Sequence, residues 1–124
     1  MQIAAVGVVS RELSRAVAFY EALGFRFPPI APGEDHVEAE GAVRLMIDSA
    51  ALIEGLIGEP PRPANTAAFA VLAASPAAVD DLAARAAAAG GSVVLAPFDA
   101  PWGQRYATVA DPDGYRVDLF CPLP

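Results

Sequence analysis

The sequence predicts an α+β fold: two βαβββ modules forming a curved mixed sheet with a cleft, the helices on its outer face. Three observations carry that prediction. The first is the order of patterned segments, β-α-β-β-β, a break, then β-α-β-β-β again. The second is the detail in which the halves echo each other. Ala22-Leu23-Gly24 ends the first helix and Ala89-Gly90-Gly91 the second, Gly33 and Gly103 precede the two hairpins, and the turn Glu40-Gly41 matches Asp113-Gly114. The third is the break itself, Gly58–Pro63, with three prolines and a glycine. The division is residues 1–58, a linker at 59–65, and residues 66–124, within one structural domain. Half-sheets of this kind, each backed by a helix, can join so that one face packs on the helices and the other lines a cleft.

Met1–Val9 is apolar and weakly alternating, a strand. Ser10 is a candidate cap for a helix whose apolar face is Leu13, Val17, Tyr20 and Leu23, ended by Gly24. Phe25-Arg26-Phe27 starts a strand that Pro28-Pro29 stops. His36–Ala39 and Ala42–Asp48 read as two strands joined at Glu40-Gly41, and Ser49–Ile57 as a short helix or a loop. Thr66–Leu72 is a strand. Ser75-Pro76 opens an Ala-rich helix with Ser75 as N-cap and Pro76 at its first position. Asp80 and Asp81 fall in its early turns, where the helix dipole favours them. Ser92–Ala96 is a strand, and a hairpin over Arg105–Cys121 closes the chain around Asp111-Pro112-Asp113-Gly114. In its second arm Val117 and Leu119 share one face, Arg116, Asp118 and Phe120 the other.

Composition excludes several classes. With 55% hydrophobic residues among 124, the chain can build a full core and disorder is excluded. No apolar run reaches the roughly 20 residues of a membrane span. No basic segment followed by an apolar stretch and cleavage site opens the chain, and the lone Cys121 allows no internal disulfide, so a reducing, cytoplasmic setting is expected. A net charge of −7 without a basic stripe argues against nucleic acid and leaves cationic ligands as the favoured charge class.

Two motifs carry a resemblance over nearly the whole chain. Ala18-Phe19-Tyr20-Glu21-Ala22-Leu23-Gly24-Phe25 is similar to the "FY…LGF" helix end of the vicinal oxygen chelate superfamily, also described as the glyoxalase/bleomycin-resistance/dioxygenase family. Pro101-Trp102-Gly103 followed by Asp111-Pro112-Asp113-Gly114 resembles its terminal hairpin. The resemblance implies paired βαβββ modules, often completed as a homodimer with strand or module exchange. It implies no single activity. Members include metal-dependent lyases, isomerases, extradiol dioxygenases and antibiotic-modifying transferases, and also metal-free proteins that sequester drugs.

In the enzymes, the resemblance implies one divalent metal held from the cleft face by His, Glu or Gln, one each from the first and last strands of the two modules. Strand parity puts Ala5 at the first position, with Ala4, Val6 and Val8 toward the core. Val43, Leu45 and Ile47 toward the core leave Met46 at the second. Phe69 and Val71 toward the core leave Thr66, or Ala67 or Ala68 on a shifted register, at the third. Asp118 stands at the fourth. Ala and Met offer nothing to Mg²⁺, Mn²⁺, Fe²⁺ or Zn²⁺. His36, Glu38 and Asp118 are left as candidate metal ligands, the first two as a His-x-Glu pair on one strand face.

The candidate ligand-binding residues are Arg44, Met46, Phe98, Trp102, Arg105, Arg116, Asp118 and Phe120. Asp118 beside Arg116 and across from Arg44 reads as an ion pair within the cleft or, as the second reading, a carboxylate for acid–base work whose pKa the arginines would lower. Trp102, between Pro101 and Gly103, is either a stacking surface at the cleft mouth or a plug or dimer contact. No Ser/His/Asp or Cys/His set assembles, so no catalytic residue is assigned, and no glycine-rich phosphate loop is present. The expected function is metal-free, homodimeric binding of a small organic molecule, aromatic or cationic, as in drug-sequestering members. A divalent-metal lyase, isomerase or dioxygenase and a module serving a protein partner are the alternatives.

Overall fold

Apolar alternation builds seven strands, which the chain sorts into two sheets. The computed structural model describes residues 1–124. Its elements are β1 (Ala5–Ser10), α1 (Leu13–Ala22), β2 (His36–Glu38), β3 (Arg44–Ser49), α2 (Ala50–Ile57), β4 (Ala67–Leu72), α3 (Pro76–Ala88), β5 (Ser92–Ala100), β6 (Gln104–Ala110) and β7 (Arg116–Pro122). One sheet runs β1-β3-β2, the other β4-β7-β6-β5. In each, the first strand of the module lies parallel to the last (β1 with β3, β4 with β7), and hairpin neighbours are antiparallel. This is the expected α+β class with a duplicated strand–helix plan. The sheets are hydrogen-bonded as two units, and no helix is long and apolar enough to cross a membrane.

The first half has one strand fewer than the second. Phe25-Arg26-Phe27 is extended but joins no ladder. Its backbone is used otherwise. The Phe25 N–H donates to the Tyr20 carbonyl (3.1 Å) and that of Gly24 to Glu21 (2.9 Å), with Gly24 at φ +102°, a Schellman end to α1. Arg26 keeps one cross-chain bond, its carbonyl accepting from Glu40 N–H (3.0 Å), before Pro28 and Pro29 remove the next donors. The two rings pack on the core, Phe25 edge-on to Tyr20 and Phe69.

Other boundaries also move. Ser10 does not cap α1: its hydroxyl folds back on Glu12, and Glu12 occupies the N-cap position with no side-chain bond. Ser49 does cap α2, accepting from Leu52 N–H (3.1 Å), and Ser75 caps α3, accepting from Ala78 N–H (3.1 Å) with Pro76 following. Val43 lies ahead of β3 and is 48% exposed, so it is not a core position. β5 runs on past Ala96, because register shifts between Val93 and Leu95 and between Leu95 and Phe98 admit Pro97 on an edge strand. Phe98 is therefore a strand residue, beyond the expected end of this strand at Ala96.

One core serves both halves. Phe19 and Tyr20 of α1, Leu45 and Ile47 of β3, and Val109, Val117 and Leu119 of the terminal hairpin are all buried in a single cluster. The closest approach is at Gly91, where a Cβ would overlap the Phe19 ring and the Ala110 carbonyl. Only glycine lets α1 of the first half seat on the second.

Candidate ligand-binding face

The turn at Asp111–Gly114 sets the register of the four-stranded sheet, and the register sets the site. Asp111 Oδ1 accepts from the N–H groups of Asp113 and Tyr115 (both 2.9 Å), and Gly114 takes φ +93°. From there Thr108 pairs with Asp118 and Tyr106 with Phe120; farther out, Phe98 pairs with Tyr106 and Ala70 with Asp118. Residues directly opposite share a face. Phe98, Tyr106, Thr108, Asp118 and Phe120 thus stand together, on the face opposite buried Ala107, Val109, Val117 and Leu119.

Asp118 is held by hydroxyls, not by arginines. Thr108 Oγ1 donates to Oδ1 (2.7 Å) and the Tyr106 hydroxyl to Oδ2. Burial and the Asp118 hydrogen bond both push the Tyr106 phenol above its ordinary range, so it stays a donor at neutral pH. The expected ion pair does not form. Arg116 donates to the Asn65 carbonyl (2.7 Å), and Arg44 pairs with Glu38 (3.0 Å) on the other sheet. Ala70, beside Asp118, is exposed and leaves the space above the carboxylate open.

Three aromatic rings form one cluster, and its Tyr106 carries the hydroxyl that reaches this carboxylate. Trp102 stands edge-on to Tyr106 with centroids 5.1 Å apart, and Phe98 is edge-on to both, at 6.1 Å from Trp102 and 6.3 Å from Tyr106. Trp102 Nε1 donates to Gln104 Oε1 (2.9 Å), which fixes the indole while leaving it 58% exposed. Edge-on rings hold each other and leave a face free for a planar partner.

Arg105 is not part of this face. It pairs with Cys121 across the ladder and turns toward α3, where its guanidinium forks onto Asp80 (2.9 and 3.0 Å) and reaches Asp99 (3.1 Å). Asp80 is thus a partner for Arg105 rather than a dipole charge in the first turn. Met46 and Arg44 lie on the separate β1-β3-β2 sheet, where Met46 pairs with Gly7 and Glu38. The eight residues grouped from the sequence therefore divide between two sheets and two faces.

On that first sheet an unforeseen charge strip appears. His36 Nδ1 meets Asp48 Oδ1 at 2.6 Å, its cross-strand partner, and Nε2 meets Glu38 Oε2 at 3.1 Å. The bond to Asp48, then that to Glu38, raises the imidazole pKa above its ordinary value. Glu38 continues to Arg44. The Asp48 contact was missed because the chain between β2 and β3 does not announce its length as a two-residue turn would.

The donor set does not fit the metal that the motif resemblance implies. Ala5 and Met46 occupy two of the four positions, and on β4 the face opposite Phe69 and Val71 carries Ala68, Ala70 and Leu72, with Thr66 ahead of the strand. Asp118 is the one carboxylate among the four positions and stands without a second donor beside it. His36 turns one nitrogen to each of two carboxylates, so no lone pair converges with them on a common point. No three His, Cys, Asp or Glu side chains gather into a metal-holding group.

Comparisons with known proteins agree with the architecture. No curated protein sequence matches the chain significantly. Among solved structures, a glyoxalase-related enzyme from Fulvimarina pelagi superposes with a TM-score of 0.84 at 23% identity, over 98% of this chain and 88% of that one. A glyoxalase/bleomycin resistance protein/dioxygenase from Nocardioides is 27% identical, with a TM-score of 0.71 over 99% and 84%. A glyoxalase/bleomycin resistance protein/dioxygenase family enzyme from Burkholderia phytofirmans PsJN gives 0.80 at 18% identity over 99% and 100%. The family model for this fold matches residues 2–119, nearly the whole duplicated plan, and on that match the chain belongs to the Glyoxalase/Bleomycin resistance protein/Dioxygenase superfamily.

Proposed function

We propose that this chain is a metal-free member of its superfamily that binds a small organic molecule, aromatic or cationic, on the face of the four-stranded sheet away from the helices. The observation that carries this reading is the exposed Trp102 indole, braced edge-on by Phe98 and Tyr106 next to the Asp118 carboxylate. A flat ring stacks on the indole, and a cation gains from both its π face and the carboxylate. Asp118 Oδ1 and Oδ2 each accept one hydroxyl hydrogen bond and retain a lone pair for a ligand donor. Drug sequestration, as in antibiotic-resistance members, is the corresponding role, and a cytoplasmic homodimer its setting. In this reading the ligand is held and not transformed, as the missing metal-ligand set favours. Exposed Leu72 on β4 and Val93, Val94 and Leu95 on edge strand β5 are the apolar surface that a second copy would cover.

The test uses Trp102, the sole tryptophan. Its fluorescence is titrated with aromatic and cationic drugs, first in chelator and then with Mn²⁺ or Zn²⁺. Saturable quenching in chelator supports the reading. A response that appears only with metal overturns it in favour of a metal-dependent lyase, isomerase or dioxygenase.

A further inference from the structure

The linker between the modules is more than a tether. Pro60, Pro61 and Pro63 form one wall of a concavity of about 400 Å³, closed by Val9 at the end of β1 and by Tyr115 after the terminal turn. That volume lies within the range of small-molecule pockets, roughly 300–1,000 Å³. The wall is fixed at several points. α2 stops at Gly58, which takes φ +81°. Pro63 presses on the turn so closely that a Cβ on Gly114 would stand 3.2 Å from its Cγ, and the Arg116 guanidinium holds the Asn65 carbonyl at 2.7 Å. Three prolines stiffen what lies between.

The polar groups around this concavity are of both signs. Arg62 and Glu54 line it, and neither side chain has an ion-pair or hydrogen-bond partner within the chain. Asp113 lines it as well: its side chain is 5% exposed, Oδ1 takes Arg15 (3.3 Å) and the Arg11 N–H (3.1 Å), and Oδ2 is buried with no donor. Arg11 completes the rim, with its guanidinium largely in solvent. The Tyr115 hydroxyl is also unused. A ligand of a single charge would satisfy one sign and face repulsion from the other. A ligand that carries both would meet each with its opposite, while an apolar body lies on prolines and the tyrosine ring.

We infer that this intermodule pocket binds a small zwitterion with an apolar side group, of the amino-acid class, its carboxylate toward Arg62 and its ammonium toward Glu54. The site is separate from the Trp102 face and does not depend on it.

Three probes of matched size test it by amide-shift NMR on the full chain: L-phenylalanine, 3-phenylpropanoate, which lacks the ammonium, and phenethylamine, which lacks the carboxylate. Saturable shifts at Val9, Glu54 and Tyr115 are expected with L-phenylalanine, and roughly tenfold weaker binding for each single-charge probe. Arg62→Gln and Glu54→Gln are each expected to weaken L-phenylalanine several-fold, and both sit at the surface, so an unchanged spectrum elsewhere verifies folding. Any shift at the Trp102 indole reports the sheet face and is read separately from these three amides. At Val9, Glu54 and Tyr115, equal binding of a single-charge probe, no saturable shift with L-phenylalanine, or shifts confined instead to Trp102 and its neighbours each overturns the inference. The last would still leave the Trp102 face as a binding site.

Discussion

The Tyr20 hydroxyl donates to Asp111 Oδ2 at 2.7 Å, joining the first module's helix to the second module's terminal turn inside the core. Tyr20 is fully buried, and burial followed by the charge of Asp111 pushes its phenol far above the ordinary range. Burial also raises the Asp111 carboxyl, against the pull of Tyr20 and the turn amides, which lower it. Tyr20→Phe therefore strands one oxygen of a buried acid. We predict a loss of about 1–3 kcal/mol in urea unfolding, the cost of a buried acceptor without its donor. An unchanged midpoint would mean the two halves are not coupled through this bond.

Gly91 and Gly55 make a matched pair. Alanine at 91 meets the Phe19 ring and the Ala110 carbonyl, so Gly91→Ala should destabilise by about 1–3 kcal/mol or more through overpacking. Alanine at 55, inside α2, meets nothing within 4 Å, and Gly55→Ala should stabilise by roughly 0.5–1 kcal/mol through helix propensity. Thermal melts of the two variants should move in opposite directions.

His36 gives stability a pH dependence. Its folded pKa is raised above the unfolded value of 6.5 by Asp48 and then Glu38. The folded state therefore holds the proton more tightly. The contribution is complete below the unfolded pKa and is lost as pH rises through the folded one. His36 is the sole histidine, so one ring resonance reports its titration. We expect a midpoint above 6.5 in the native chain and a lower one in Asp48→Asn. A midpoint at or below 6.5 would contradict the geometry of the strip.

Ligand response should follow the faces of the sheet. Phe98→Ala removes a ring that braces Trp102, and is expected to weaken a stacked ligand several-fold. Arg105→Ala lies on the helix side with Asp80 and should leave the Trp102 titration unchanged. Equal losses in both variants would place the ligand elsewhere.

The duplicated plan was legible because its punctuation is local. Ser75-Pro76 starts α3 and Asp111-Pro112-Asp113-Gly114 turns the last hairpin, each through bonds within a few residues. Phe25–Phe27 misled because aromatic alternation reads the same in a ladder as in a segment packed flat on the core. Arg105 could have been assigned correctly, since it shares parity with buried Ala107 and Val109. The Thr108–Asp118 pair was also within reach by counting outward from the turn. Arg116 turning to the Asn65 carbonyl and Arg44 to Glu38 was not, because these choices depend on where the linker and the shorter hairpin lie in space.

Metal-free binding by this superfamily member is open to direct measurement. The most direct measurement is metal content per chain after chelation, reloading with Mn²⁺ or Zn²⁺ and exhaustive dialysis. No stoichiometric retention is expected, in the native chain and in Asp118→Asn alike. One tightly held divalent ion per chain, lost in Asp118→Asn, would contradict it.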